Sequence, residues 1–286
     1  MKDEFSIWGF KFKTKNLMIT LGVAAVVLLG LLLFNAFVRE VSWYGVIIGL
    51  GFLVALWLAT QLASFRDLPS ELPYDLILWI FPFSIVGARV YYVLTSLDEF
   101  HSFYDVIAVW EGGIAIYGGI IGGLIGLMIC CAIKKKNVID CTDLAAPCLI
   151  MAQSIGRWGN FINQEVYGWE ITNKTFQWFP FGVKVGETWH LATFFYESIL
   201  NLGGFFLLTF LLRKYKIRGL ITATYLVFYG IVRLILEGLR DDFYILKIPG
   251  TNLAVSQVVS GVIILVGLVW LTVLLIKNRK SKNATV

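Results

Sequence analysis

The chain has 286 residues, 58% of them hydrophobic and 15% charged, including 22 phenylalanines and 10 tryptophans. So apolar a composition excludes a soluble globular domain and a disordered segment, and it reads as a polytopic integral membrane protein. The formal net charge of +5 requires no nucleic-acid partner, because lysines and arginines at the ends of spanning helices meet anionic lipid headgroups.

In chain order, a polar start with Lys2, Lys11, Lys13 and Lys15 leads into an apolar run over residues 17–38. That run is long for a cleaved signal peptide, lacks a small-residue cleavage site and meets Arg39-Glu40, so it is expected to persist as a helix. Further runs cover 43–63, 76–94, 113–133, 142–162, 191–212, 219–237 and 254–276. Each is near the roughly 20 residues that cross a bilayer, which gives an all-α fold of about eight transmembrane helices. No linker, fixed-period repeat or low-complexity segment divides the chain. Residues 1–40 form an N-terminal segment with the first helix, 41–276 the main membrane domain and 277–286 a basic tail.

Alternate connections fall on opposite faces of the membrane. Arg66, Lys134, Lys135, Lys136, Arg213, Lys214, Lys216, Arg218 and the tail residues Lys277, Arg279, Lys280 and Lys282 share a side with the N-terminal lysines. That side is expected to be cytoplasmic, with both termini on it. Two connections on the other side are longer. One, 95–112, contains His101, Asp105, Trp110 and Glu111; the other, 163–190, interleaves Trp and Phe with charges, as an arm on the membrane interface would. Cys130, Cys131, Cys141 and Cys148 form no CxxC pair and have no histidine at ligand spacing, so they read as small packing residues and no metal site is expected.

Three polar constellations interrupt the apolar runs. In EGGIAIYGGIIGGLIG, residues 111–126, Gly118, Gly122 and Gly126 stand four apart and predict a close helix-packing face, while Tyr117 could project into the space they leave. In GRWGNFINQEVYG, the residues Arg157, Asn160, Asn163, Gln164 and Glu165 sit where hydrocarbon makes each costly, which marks a working site. Arg157, Asn160 and Gln164 recur at i, i+3 and i+7 and share a face while the backbone stays helical. A guanidinium fork with amides beside it suits phosphate and ester oxygens; the alternative is a buried Arg-Glu pair tying helices together. In YGIVRLILEGLR, the residues Tyr229, Arg233 and Glu237 form one stripe that must face the bundle interior, with Arg240 just beyond. Here an interhelical salt-bridge ladder competes with a reading in which Arg240 binds substrate.

GRWGNFINQEVYG resembles the signature of the bacterial prolipoprotein diacylglyceryl transferases. The order of WYG at 43–45, GARVYYVL at 87–94, EGGIAIYGG at 111–119, FFYES at 194–198, YGIVRLILE at 229–237 and SQVVS at 256–260 agrees with that family over roughly residues 40–276. The resemblance implies a bacterial cytoplasmic-membrane enzyme that moves the diacylglyceryl group of phosphatidylglycerol to the lipobox cysteine of a preprolipoprotein signal peptide. It also implies release of glycerol phosphate, no cofactor, and a site facing the outer side. The positions that match the family's functional residues are Tyr44, Arg157, Asn160, Glu165, Tyr229, Arg233 and Glu237. Three features depart from the family pattern. Tyr117-Gly118-Gly119 replaces a His-Gly-Gly segment, His190 is offset by one residue from the usual His-Pro, and the run at 17–38 is additional to seven family-like helices.

Chemistry assigns roles to these groups. A thiol of pKa about 8.5 is only ~3% thiolate at pH 7, so the acceptor needs a base or a positive field. Arg157 and Arg233, with Asn160, are expected to hold the phosphodiester and stabilise the leaving phosphate. Glu165 and Glu237 are the candidate bases, and Tyr117 is expected to orient substrate by hydrogen bonding. A transporter would show two related halves with broken helices, and no repeat is visible. An intramembrane protease would need a Ser-His pair, paired aspartates or HExxH, and the chain has 2 histidines and no such motif.

Overall fold

The computed structural model describes residues 4–7, 10–13, 18, 22, 43–100, 102–109, 112–241 and 253–283. Among them, 7 helices are long and apolar enough to cross a membrane. They are α1 (Trp43–Leu62), α2 (Leu72–Thr95), α4 (Ile116–Ile133), α5 (Val138–Ile162), α6 (Thr193–Lys214), α7 (Leu220–Glu237) and α8 (Val255–Asn283), with a short α3 (Phe103–Ile107) between α2 and α4. Each matches an expected run to within a few residues. The expected span at 17–38 lies outside the described residues, positions 18 and 22 excepted, as do His101, Trp110 and Glu111. Helix α8 continues past the expected boundary at 276, because Lys277, Arg279 and Lys280 are good helix formers.

Two small antiparallel hairpins add strand to a helical fold: β1 (Glu4–Ile7) with β2 (Phe10–Lys13), and β3 (Gly182–Val185) with β4 (Thr188–Leu191). The second is legible in retrospect. Val183 and Val185 alternate with Lys184, and Gly186 at φ +60° opens a two-residue loop into Thr188.

Small residues decide which helices touch. Along the α2–α4 seam a Cβ at Gly118 would collide with the Gly87 carbonyl, one at Gly122 with that of Phe83, and one at Gly126 would stand 2.6 Å from that of Trp79. The expected glycine face is therefore the α2–α4 contact, where backbones approach too closely for any side chain. Helix α1 runs antiparallel to α5, with Tyr44 against Gly159, Ile48 against Gly156 and Gly51 against Ala152. Helix α6 returns beside α5, where the Ser154 hydroxyl donates to the Ser198 carbonyl at 2.8 Å and the Ser198 hydroxyl to the Ser154 carbonyl at 2.9 Å.

The basic end of the bundle is locked by one buried carboxylate. Asp143 pairs with Arg66 at 3.1 Å, and the two side chains are 0% and 2% exposed. Asp143 also accepts from the backbone N–H groups of Gly219 at 2.8 Å and Thr222 at 2.9 Å, which caps the start of α7. All four cysteines are buried and unbridged in the core near this end, as packing residues should be.

Candidate active site

About 26 Å along α5 from Asp140, at the rise of a regular helix, lies Arg157. The serine contacts between α5 and α6 set it against Glu197, and its Nη2 meets Glu197 Oε1 at 2.7 Å. The Trp158 indole N–H donates to the Ser198 hydroxyl at 3.1 Å and fixes the register one residue further on. Glu197 also faces Arg240, with Nη2 to Oε2 at 3.7 Å. Arg240 Nη1 in turn meets Glu237 Oε2 at 3.1 Å, and Arg233 Nη2 approaches the same oxygen at 3.1 Å. Among the described residues, three guanidinium groups thus share two carboxylates by direct ion pairs.

The lattice is buried but under-bonded. Glu197 and Glu237 are each 3% exposed and Arg240 6%. Among the described residues, Glu237 Oε2 is held by charge without an aligned hydrogen bond, and the Arg240 Nε–H has no partner. An orphaned buried donor costs about 1–3 kcal/mol, and an anionic oxygen would satisfy it. Burial, reinforced by repulsion from Arg233, lowers the Arg240 pKa to about 10, which leaves it protonated at neutral pH.

Glu165 joins through amides. The Arg157 Nη1 donates to Asn160 Oδ1 at 3.3 Å, and Asn160 Nδ2 donates to Glu165 Oε1 at 3.0 Å. Asn163 Nδ2 adds a long 3.5 Å bond to the same oxygen. The helix end explains this. α5 stops at Ile162, Gln164 takes φ +51°, and the Glu165 and Gln164 N–H groups return to the carbonyls of Asn160 and Phe161 at 3.0 and 3.1 Å. This left-handed closure folds Glu165 back over the last turn. The condition under which Gln164 would share the face of Arg157 and Asn160, a helix continuing through it, is not met: Gln164 lies beyond the helix and is exposed.

The arm from 163 to 192 roofs the site. Trp169 N–H donates to the Leu239 carbonyl at 3.1 Å and Asp241 N–H to that of Tyr167 at 3.3 Å, so the arm pairs with the segment that carries Arg240. Gly168 allows this approach, since a Cβ there would stand 2.6 Å from the Leu239 carbonyl. His190 anchors the arm, with Nδ1 3.0 Å from the Gly168 carbonyl and Nε2 2.8 Å from the Thr188 hydroxyl.

A cavity of about 550 Å³ opens between α1, α2 and α5. Its wall is apolar along most of its length, through Ile48, Leu56, Ile80 and Leu144, and Arg157, Asn160 and Tyr44 line one end. The Tyr44 ring lies on α5 where a Cβ at Gly159 would be only 2.7 Å away. The wall reaches from Cys141 to Asn160, about 28 Å of helix, close to the thickness of a bilayer's hydrocarbon core.

Arg157, Asn160, Asn163, Glu165, Arg233, Glu237 and Arg240 therefore form one connected cluster, and Tyr44 borders it through the cavity. Tyr229 stacks on Tyr225, with centroids 5.7 Å apart, and Tyr225 accepts from Gln153 at 3.0 Å one turn below Arg157. Tyr117 stands apart on α4. Its ring packs near that of Tyr91 at 6.3 Å and is 45% exposed. The sequence reading missed Glu197, although FFYES places a carboxylate in the middle of an apolar run, which is the signal that singled out the others.

A family model described as prolipoprotein diacylglyceryl transferase matches residues 31–273. Phosphatidylglycerol-prolipoprotein diacylglyceryl transferase 1 of Clostridium perfringens (strain 13 / Type A) is 39% identical over 250 residues, covering 85% of this chain and 94% of the relative. The enzyme of that name from Streptococcus pyogenes serotype M5 (strain Manfredo) is 39% identical over 248 residues, covering 85% and 93%. With most of both chains aligned at this identity, the chain belongs to the prolipoprotein diacylglyceryl transferase family.

Proposed function

We propose that the chain transfers the diacylglyceryl group of phosphatidylglycerol to the lipobox cysteine thiol of preprolipoprotein signal peptides. The observation that carries this reading is a largely buried lattice of three guanidinium groups on two carboxylates, one of whose arginines, Arg157, lines the polar end of a long apolar cavity. The acyl part of the lipid lies along the cavity wall. Its phosphodiester meets Arg157, Asn160 and the orphaned Nε–H of Arg240.

In the reaction the cysteine sulfur attacks the glyceryl carbon that bears the phosphate oxygen. A carbon–sulfur bond forms, that carbon–oxygen bond breaks, and the bonding pair leaves with glycerol phosphate. The phosphate gains negative charge, and Arg157 and Arg233 stabilise it without reorganising, because Glu197 and Glu237 already hold them in place. The thiol proton goes to a carboxylate. Glu237 is engaged by two guanidinium groups, whereas Glu165 accepts only from amides, so Glu165 is the base. The nearby cations assist by favouring thiolate. Tyr44 contacts the lipid from the polar end of the cavity, Asn163 and Tyr229 contact it from beside the cluster, and Tyr117, apart from the cluster on α4, can orient only a part of a substrate that reaches beyond it. No cofactor takes part.

The membrane is the bacterial cytoplasmic membrane. The end of the bundle rich in lysine and arginine faces the cytoplasm, together with both termini, and the Arg157 cluster faces outward. Expression in bacterial cells depleted of their own enzyme of this family tests the proposal. The native chain should restore a preprolipoprotein heavier by one diacylglyceryl group, measured by mass spectrometry, and Arg157→Ala at equal protein level should not. Restoration by neither, with both proteins in the membrane, would refute the assigned activity; restoration by both would remove the role of Arg157.

A further inference from the structure

At the basic end, far from the arginine cluster, a cleft of about 780 Å³ lies between three turns. It is lined by Arg66 and Asp67 after α1, by Lys135, Lys136 and Asp140 around the α4–α5 turn, and by Lys216 and Arg218 before α7. Both carboxylates are already engaged, Asp67 by Lys216 at 3.7 Å and Asp140 by Arg218 at 3.1 Å. Arg66 is engaged from behind by Asp143 at 3.1 Å. Lys135 and Lys136 have no carboxylate within ion-pair distance among the described residues, so the cleft holds two unmatched positive charges.

A second observation points to a ligand. Arg66, only 6% exposed, gives its terminal nitrogens to Asp143 and to the carbonyls of Tyr215 and Ile217, while its buried Nε–H has no partner among the described residues. The backbone holds the two free lysines at the rim: Lys135 sits at φ +51°, and the Lys136 N–H donates to the Cys131 carbonyl at 2.9 Å.

We infer that this cleft binds the phosphate of an anionic phospholipid headgroup from the leaflet at that end of the bundle. The ligand is a lipid rather than a free phosphate because the cleft is framed by the ends of spanning helices α1, α4, α5, α6 and α7, at headgroup depth. Phosphate oxygens pair with Lys135 and Lys136.

The test uses the full chain purified in dodecylmaltoside micelles, with melting followed by tryptophan fluorescence. Dioleoylphosphatidylserine, dioleoylphosphatidylcholine and inorganic phosphate are the probes. Phosphatidylserine should raise the melting temperature by roughly 5 °C near saturation, and phosphatidylcholine and inorganic phosphate should not. The Lys135→Gln/Lys136→Gln double variant should lose that rise while keeping its rate of diacylglyceryl transfer. Lys136→Glu alone, which replaces one partner with a repelling carboxylate, should lose most of it. An equal rise in the double variant, or with phosphatidylcholine, would overturn the site. A rise with inorganic phosphate equal to that with phosphatidylserine would overturn its assignment to a lipid.

Discussion

Glu197 is the residue on which the cluster turns, because it is the carboxylate shared by Arg157 and Arg240. Removing one partner of a buried pair costs about 3–5 kcal/mol, as the other charge is left uncompensated. Glu197→Gln should therefore lower the melting temperature and reduce transfer at least about 100-fold, the scale of losing one electrostatic stabiliser. An assay in native membranes with normal protein levels checks this. Base assignment separates by a paired comparison: Glu165→Gln should abolish turnover while labelled phosphatidylglycerol still binds, and Glu237→Gln should weaken binding as well. Equal binding loss in both would contradict the division of roles. At this scale the sequence told where polar groups sit in apolar runs, so Arg157, Asn160, Arg233 and Glu237 were legible. The pairing was not. Glu197 meets Arg240 across 43 positions of chain, a distance set by the tertiary approach of α6 to the α7 terminus. Gln164 fell outside the shared face because helical spacing assumes a helix, and a left-handed residue ended this one.

Elements are held by small residues at seams and by one capped terminus. Gly122→Val should separate α2 from α4, since even a Cβ there collides with the Phe83 carbonyl; the expected result is loss of folded protein on gel filtration, with Gly203→Ala, at a site with open space, as the tolerated control. Gly168→Val should leave the helices intact but push the arm off the Leu239 carbonyl, so transfer should fail in a protein of near-native melting temperature. Seven helices were readable from run length because each must satisfy its own backbone in lipid. Hairpin β3–β4 was overlooked because its alternation spans only four residues per strand within an aromatic loop, and Gly186 alone marks its turn.

Across the whole molecule, charge is sorted to two ends. One is a lattice of arginines and glutamates that reaches one end of an apolar cavity through Arg157, and the other a basic cleft braced by Arg66 and Asp143. Helix α5 spans both and contributes Arg157 to the first and Asp143 to the second. Its cavity-facing small residues give the groove its width. Gly156→Leu should narrow it at Ile48, since even a Cβ at position 156 would stand 3.2 Å from the Ile48 side chain, and should raise the KM for long-chain phosphatidylglycerol by about tenfold, near 1.4 kcal/mol, with a smaller effect on short-chain lipid. The most direct measurement combines purified protein, phosphatidylglycerol labelled in its diacylglyceryl part, and a lipobox peptide alongside its Cys→Ser counterpart. The account predicts that label moves to the cysteine peptide alone, with one glycerol phosphate released per peptide modified. Label on neither peptide, from an intact protein that still binds the lipid, would contradict it.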